Sequence, residues 1–312
     1  MNKNIEKLGM GITILSSKDA AQLTTELGPL ALLQGEWTSK APKGTTASGW
    51  NVIAVPGPSG FVLEVIPYEE TLTFTPVVAA GNRGPFVDGV QQDQQLFGLM
   101  YEQIIHSVCD TDFCNERGFK RGTEIHAERG IFLNLPDNKL NSNLNIVRLS
   151  TIPHGNSVLA LGRSVVGVPP NNNFIPQISS IPTDIHGNPL QKLGYTDPYL
   201  RPEFPGVFNQ IDPNSFLTET LGTQKIVGMT TLELSTDNKD GGVLSIPFLV
   251  DNLQTLSLDS TFWIETISSS GAGIADFLQL QYTQTINLKF PPTGDPTPII
   301  WPHITINTLR KV

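Results

Sequence analysis

From residue 49 onward, apolar and polar residues alternate with period two in short runs. WNVIAV, GFVLEVI, ETLTFTPV, QQLFGLMYEQII, TEIHAERGIFL, NIVRLSTI and SVLALGRSVVGV share that period, and each is bounded by Gly, Pro, Asn or Asp. A strand sends successive side chains to opposite faces of its sheet, so each run is predicted to be a strand. The pattern resumes at KIVGMTTLELST, GGVLSIPFLV, STFWIETI, FLQLQYTQTINLKF and HITINTL. In FLQLQYTQTINLKF, Leu278, Leu280, Tyr282, Ile286, Leu288 and Phe290 fall on one face, with Gln279, Gln281, Thr283, Thr285, Asn287 and Lys289 on the other. That division predicts one buried face and one wet face. The helical period is convincing only in KDAAQLTTELGPLALL, residues 18–33, whose apolar positions lie three to four apart before Gly35 stops them. A helical plug at the N-terminal side follows.

Residues 169–223 break the rhythm, being rich in Pro and Asn with neither period clean. Their aromatics, Phe174, Tyr195, Tyr199, Phe204 and Phe208, predict a long ordered excursion packed on the main body. The organisation read from the chain is an N-terminal extension over 1–24 and a single β-barrel domain over 25–312, interrupted by the insertion 169–223. Roughly ten to twelve strands in meander order close into an antiparallel up-and-down barrel, which leaves no sheet edge and room for a ligand. A two-sheet sandwich fits the same period.

Composition narrows the function classes. The chain has 312 residues, 39% of them hydrophobic, enough to bury a sizeable core. Only 16% are charged, and 28 Gly and 24 Pro punctuate the sequence, as in an all-β protein of many turns. The net charge of −9, with no Lys/Arg run, argues against a nucleic-acid partner. Nowhere do 18 uncharged apolar residues run together, so no membrane span is expected, and the opening MNKNIEKLGMGITILSS lacks a secretory apolar core. The chain therefore reads as soluble and cytoplasmic. Cys109 and Cys114 read as reduced thiols, weighed against a Cys/Cys/His/His zinc site with the flanking His106 and His126, whose spacing does not match one.

No G-x-S-x-G, P-loop, dinucleotide fingerprint or H-E-x-x-H occurs, which leaves the histidines as candidates. His186 in IHGNP and His154 in IPHGN have turn composition, although a turn at a barrel mouth can touch a ligand. His126 and His303 sit within strands. His126 shares a face with Glu124, Glu128 and Gly130. His303 shares one with Trp301, Thr305 and Asn307, opposite Ile304 and Ile306. Simple burial of the isoleucines would put His303 in water. A cavity that needs polar anchors on its inner wall, with the outer wall covered by other elements, would turn it inward.

The blocks LGPLALLQGEW, YEETLTF, YEQII with IHAERGIF, LSTIPHGNSVLALG, and LQYTQTI with PHITINTLRKV resemble, in order and spacing, those of the nitrobindin-like heme-binding β-barrels. The resemblance covers roughly 25–166 and 225–312, and fatty-acid-binding-protein-like barrels share the STIPHGNSVLALG turn. It implies a calycin-type barrel of ten antiparallel strands with a short helix closing one end. It also implies ferric heme b, with His303 of PHITINTLRKV as the proximal ligand and metal donor. His126 of IHAERG would stand on the distal side, followed by Glu128 and Gly130, and Ile286 would be a pocket wall residue. Gly35 and Trp37 match the opening G-x-W, but SKAPKGTTASGW replaces the glycine-rich sequence that should follow. The implied activity is nitric oxide binding or conversion of reactive nitrogen or oxygen species, like that of a peroxynitrite isomerase or heme peroxidase. A non-catalytic carrier of a fatty acid or other small hydrophobic ligand is the alternative, and a scaffold using the excursion as a contact surface is a third reading.

Overall fold

The computed structural model describes residues 6–8, 12–14, 20–39, 49–57, 60–110, 112–135, 143–190, 209, 211–269, 275–291 and 296–312. A hairpin of β1 (Glu6–Leu8) and β2 (Ile12–Ile14) precedes helix α1 (Ala20–Leu27), which runs into a 3-10 turn over Gly28–Leu33. Next come β3 (Gly35–Thr38), β4 (Gly49–Gly57), β5 (Gly60–Asn82), and a small hairpin of β6 (Phe86–Val87) and β7 (Val90–Gln91). β8 (Gln94–Ser107), helix α2 (Asp112–Glu116), β9 (Glu124–Asn134), β10 (Ile146–Ile152) and β11 (Asn156–Val166) follow. After the excursion, which contains helix α3 (Ser215–Leu221), stand β12 (Ile226–Ser235) and β13 (Gly242–Ser245). Helix α4 (Pro247–Asn252), β14 (Gln254–Ile267), β15 (Phe277–Phe290) and β16 (Ile299–Lys311) complete the chain.

Every pairing is antiparallel, and the ring runs β5, β8, β9, β10, β11, β12, β14, β15, β16. The strands β3 and β4 share the remaining place between β16 and β5: β3 pairs Thr38 with Arg310, while β4 pairs Asn51 with Thr305. Counting them as one position gives a closed up-and-down barrel of ten strands, and closure excludes the sandwich.

One end of the barrel is plugged. Leu27, Leu30 and Leu33 from α1 and the 3-10 turn enter the core beside Trp37, Phe74, Leu99 and Phe132. The Trp37 indole N–H donates to the Leu33 carbonyl at 2.7 Å, and Asn134 Nδ2 donates to the Glu26 carbonyl at 2.9 Å, fastening the plug to the rim.

The face of β15 expected to be wet is instead covered. Gln279, Gln281 and Thr283 are all buried, because the excursion and α3 lie against the outside of β14 to β16. Gln281 Nε2 donates to the Leu217 carbonyl at 2.9 Å, and Thr283 Oγ1 donates to Asn214 Oδ1. Phe216 packs edge-on against Trp50, Phe174 against Trp263, and Ile304 and Ile306 are sealed beneath them. The expected packing thus holds for the described part of the excursion; Tyr195, Tyr199, Phe204 and Phe208 lie outside the described residues. Under this cover Glu265 is fully buried, and its Oε2 accepts from Gln279 Nε2 at 2.8 Å while its Oε1 has no hydrogen-bond partner among the described residues. Burial raises its pKa to about 7, against the Gln279 bond that lowers it.

Three further expectations are corrected. Cys109 and Cys114 are joined by a disulfide, since α2 turns the chain back and brings their Cα atoms to 6.1 Å. The joined sulfurs are no longer thiolate ligands, and among the described residues no group of three or more His, Cys, Asp or Glu could hold a metal ion. In GGVLSIPFLV only Gly242–Ser245 is strand; Pro247 lacks the N–H a ladder needs and starts α4 instead. Nor is 18–33 the only helical stretch, because α2, α3 and α4 are too short for their periodicity to register. Among the described residues no helix is long and apolar enough to cross a membrane.

Candidate functional site

The end of the barrel away from the plug is hollow. A cavity of about 370 Å³ lies inside it, and His303, His126 and Ile286 all line it. His303 stands across the ladder from Ile286, and His126 across from Ile105. Around the ring, β9 and β16 are separated by β8, β5 and β4 on one side and by β10, β11, β12, β14 and β15 on the other. The two imidazoles therefore come from nearly opposite walls. His303 faces inward despite its isoleucine neighbours because the outer face is also buried. Phe119, from the segment after α2, and Leu249 of α4 help close the mouth. The Phe119 amide donates to the Cys114 carbonyl at 2.9 Å, so the disulfide anchors that part of the cover.

His154, in the turn between β10 and β11, also lines the cavity, its ring 6.2 Å from that of His126. Burial and the neighbouring His126 both lower its pKa, favouring a neutral imidazole. His186 is exposed in a turn of the excursion, where its amide donates to Asp184, and His106 does not line the cavity.

Behind His126 stands a charged cluster. Its Nε2 is 3.4 Å from Glu128 Oε2, and Glu128 Oε1 accepts from Arg148 Nη2 at 2.7 Å and from the Tyr101 hydroxyl. Burial alone would raise the Glu128 pKa; the Arg148 charge, His126 and Tyr101 outweigh it and hold the carboxyl at about 2. An ionised carboxylate only accepts, so it selects the His126 tautomer that carries hydrogen on Nε2 and leaves Nδ1 as the acceptor. Arg148 also donates to Gln284 Oε1 at 2.6 Å, and its guanidinium lies 5.4 Å from the Tyr101 ring centroid. Gly130 makes the cluster possible, because a Cβ there would lie 2.2 Å from the Leu149 carbonyl and 2.6 Å from the Tyr101 ring.

Deeper lies a second buried carboxyl, Glu70. Gln103 Nε2 donates to its Oε1 at 2.7 Å and Asn307 Nδ2 to its Oε2 at 2.8 Å, while the Tyr282 hydroxyl stands 2.7 Å from Oε2. The Tyr68 hydroxyl is 2.9 Å from that of Tyr282 and donates to the Ile306 carbonyl at 3.0 Å. Burial raises the Glu70 pKa above the ordinary range. Tyr282 donates its hydroxyl hydrogen to Glu70 Oε2, and Tyr68 spends its own on the Ile306 carbonyl. Gly49 leaves the space for Tyr68, since a Cβ would come within 2.4 Å of its ring.

The sequence reading missed Arg148, Tyr101, Glu70 and Asn51. Arg148 offered a signal, because it shares the inward parity of β10 with Ile146 and Ile152, and a lone cation on an apolar face needs a buried partner. Glu70 in YEETLTF offered none, since an acid at a strand start is common in water.

No family model matches this chain, and no curated protein matches it. Among solved structures it is similar to the crystal structure of Rv2717c from M. tuberculosis, at 15% identity over 92% of this chain and 99% of that one, with a TM-score of 0.38.

Proposed function

We propose that this protein is a heme-binding barrel of the nitrobindin-like kind, taking heme b in the hollow end, with His303 as axial ligand and His126 on the facing wall. The observation that carries the reading is that the strand-borne His126 and His303 line one cavity from separated walls. The residues fit the group. Imidazole is a strong axial donor, Ile286, Ile105 and Leu288 supply apolar wall, and about 370 Å³ lies within the range of small-molecule sites. No Lys or Arg is among the described residues that line it, so the carboxylates of the macrocycle would have to stay in water. Bound heme would supply an iron able to take nitric oxide or the oxygen of a peroxide, the chemistry of nitric oxide binding or of peroxynitrite isomerase-like or peroxidase-like turnover. The protein's own part is to hold His126 in one tautomer through Glu128, to offer its Nδ1 to a small oxidant, and to limit water with Phe119 and Leu249.

The test is a hemin titration of the purified chain followed in the visible spectrum. A sharp Soret band that collapses in His303→Ala is expected, and no band in either protein would overturn the reading. His126→Ala should keep the band and change the nitric oxide off-rate; a loss of heme as large as in His303→Ala would overturn the assignment of the two sides.

A second reading, a carrier of a hydrophobic ligand, is favoured by the apolar wall of Ile152, Val158 and Leu258. It needs no axial donor, so His303→Ala would keep the ligand.

A further inference from the structure

The cavity holds hydrogen-bonding capacity that neither reading uses. Asn51 is only 5% exposed and lines the cavity, yet its side-chain amide has no hydrogen-bond partner among the described residues, and its Oδ1 is fully enclosed. Buried polar groups are ordinarily paired, so an unpaired amide on a cavity wall marks where a ligand's polar atoms complete it. Thr305 stands directly across the β4–β16 ladder from Asn51 and also lines the cavity, its hydroxyl without a hydrogen bond among the described residues. Gln103 spends its amide hydrogens on Glu70 and Tyr282 and keeps its carbonyl oxygen, while Gln284 gives its carbonyl to Arg148 and keeps its amide hydrogens. Both line the same cavity. Donors and acceptors are thus both left over, and none of them is charged.

Charge is excluded from two sides. No Lys, Arg, Asp or Glu is among the described residues that line it, and the nearby cation Arg148 already answers the Glu128 carboxylate. Apart from the imidazoles of His126, His154 and His303, a carboxylate ligand drawn inside would find no fixed cation beside it, and low-dielectric surroundings penalise an uncompensated anion heavily. We infer that the inner part of the cavity is a subsite for an uncharged head group that both donates and accepts a hydrogen bond, a hydroxyl or a primary amide on an apolar chain, and not for a fatty-acid anion. This inference rests on the cavity being a ligand site and is independent of whether iron is held there.

Calorimetric titration of the 312-residue chain, without added hemin, at pH 8 with 1-octanol, octanoate and octane tests it. These probes share their chain length and differ in head group. 1-Octanol should bind at least ten-fold more tightly than either of the others. Asn51→Leu should bring 1-octanol down to the affinity of octane while leaving octane unweakened, a pattern that misfolding cannot produce. Thr305→Val, which removes one hydroxyl at nearly constant volume, should lower 1-octanol affinity by at least three-fold and carries the test if Asn51→Leu fails to fold. Octanoate binding as tightly as 1-octanol, no binding of 1-octanol, or an alcohol preference that survives both substitutions would overturn the inference. A missing Soret band beside a standing alcohol preference would sink the heme reading alone; the opposite pair of results would sink this one alone.

Discussion

The two ends of the barrel interior are built from the same ten strands and do opposite things. At the plugged end Leu27, Leu30, Leu33 and Trp37 have no exposed surface, and their polar atoms are spent on rim contacts such as Trp37 to Leu33. At the hollow end four side-chain amides, two hydroxyls and three imidazoles line open space. Close packing contributes stability in proportion to the apolar area it buries, whereas a cavity forgoes that contribution and keeps polar groups available. The comparison assigns close packing to one end and an open, polar-lined space to the other, with the Arg148–Glu128 pair at their boundary.

Substitution of that boundary should have the largest effect. Arg148→Met leaves Glu128 buried without its counter-charge, and urea unfolding at pH 7 should report a loss of about 3–5 kcal/mol, most of it recovered in Arg148→Met/Glu128→Leu. The Glu128 pKa is lowered on folding, so its stabilisation is present above the ordinary carboxylate value and is lost as pH falls towards about 2; the parent should show that decline and the double variant should not. Next is Leu30→Ala in the plug, expected to cost about 3 kcal/mol while leaving ligand affinity within two-fold, roughly the noise of titration. Equal loss of affinity and stability would break the division of labour between the ends.

Glu265 sharpens it from outside the barrel. Its pKa is raised on folding, so below the ordinary value both states hold the proton and it contributes nothing. Between there and about 7 the unfolded chain ionises first and stability falls. Glu265→Gln should therefore stabilise the protein by roughly 2–3 kcal/mol above pH 7 and leave it unchanged below pH 5. The smallest effect on stability is expected for His303→Ala, within about 1 kcal/mol in thermal unfolding, because the half-buried imidazole borders a void. A larger loss would mean that the hollow end also supports the fold.

Much of the architecture was legible because the strands of a meander are local in sequence and their alternation survives reading. What failed was the inference from polarity to solvent. Gln281 and Thr283 look wet, yet the excursion supplies hydrogen-bond partners for them, as Gln224 just beyond it does for Gln279, and nothing in a period-two pattern announces a cover that lies far along the chain. The inward aim of His303 was ambiguous for the same reason, since Ile304 and Ile306 are buried on the other side of one strand. Its role was suggested by the resemblance of PHITINTLRKV, and its aim by the cavity. Glu70 and Asn51 were illegible because their character depends on partners, or the lack of them, on strands remote in sequence.

The shared place of β3 and β4 between β5 and β16 has a bearing on how the molecule is made. On a ribosome, β4 emerges early and β16 last of the ring strands, so Asn51 waits for Thr305 through the synthesis of about 250 residues. Until β16 docks, the sheet is an open ribbon with two bare edges, and no compartment exists for a guest to enter. Closure is thus the final event of assembly, and a guest that bound the cavity at that moment would act as the latch that favours closure over edge-to-edge association with another nascent chain.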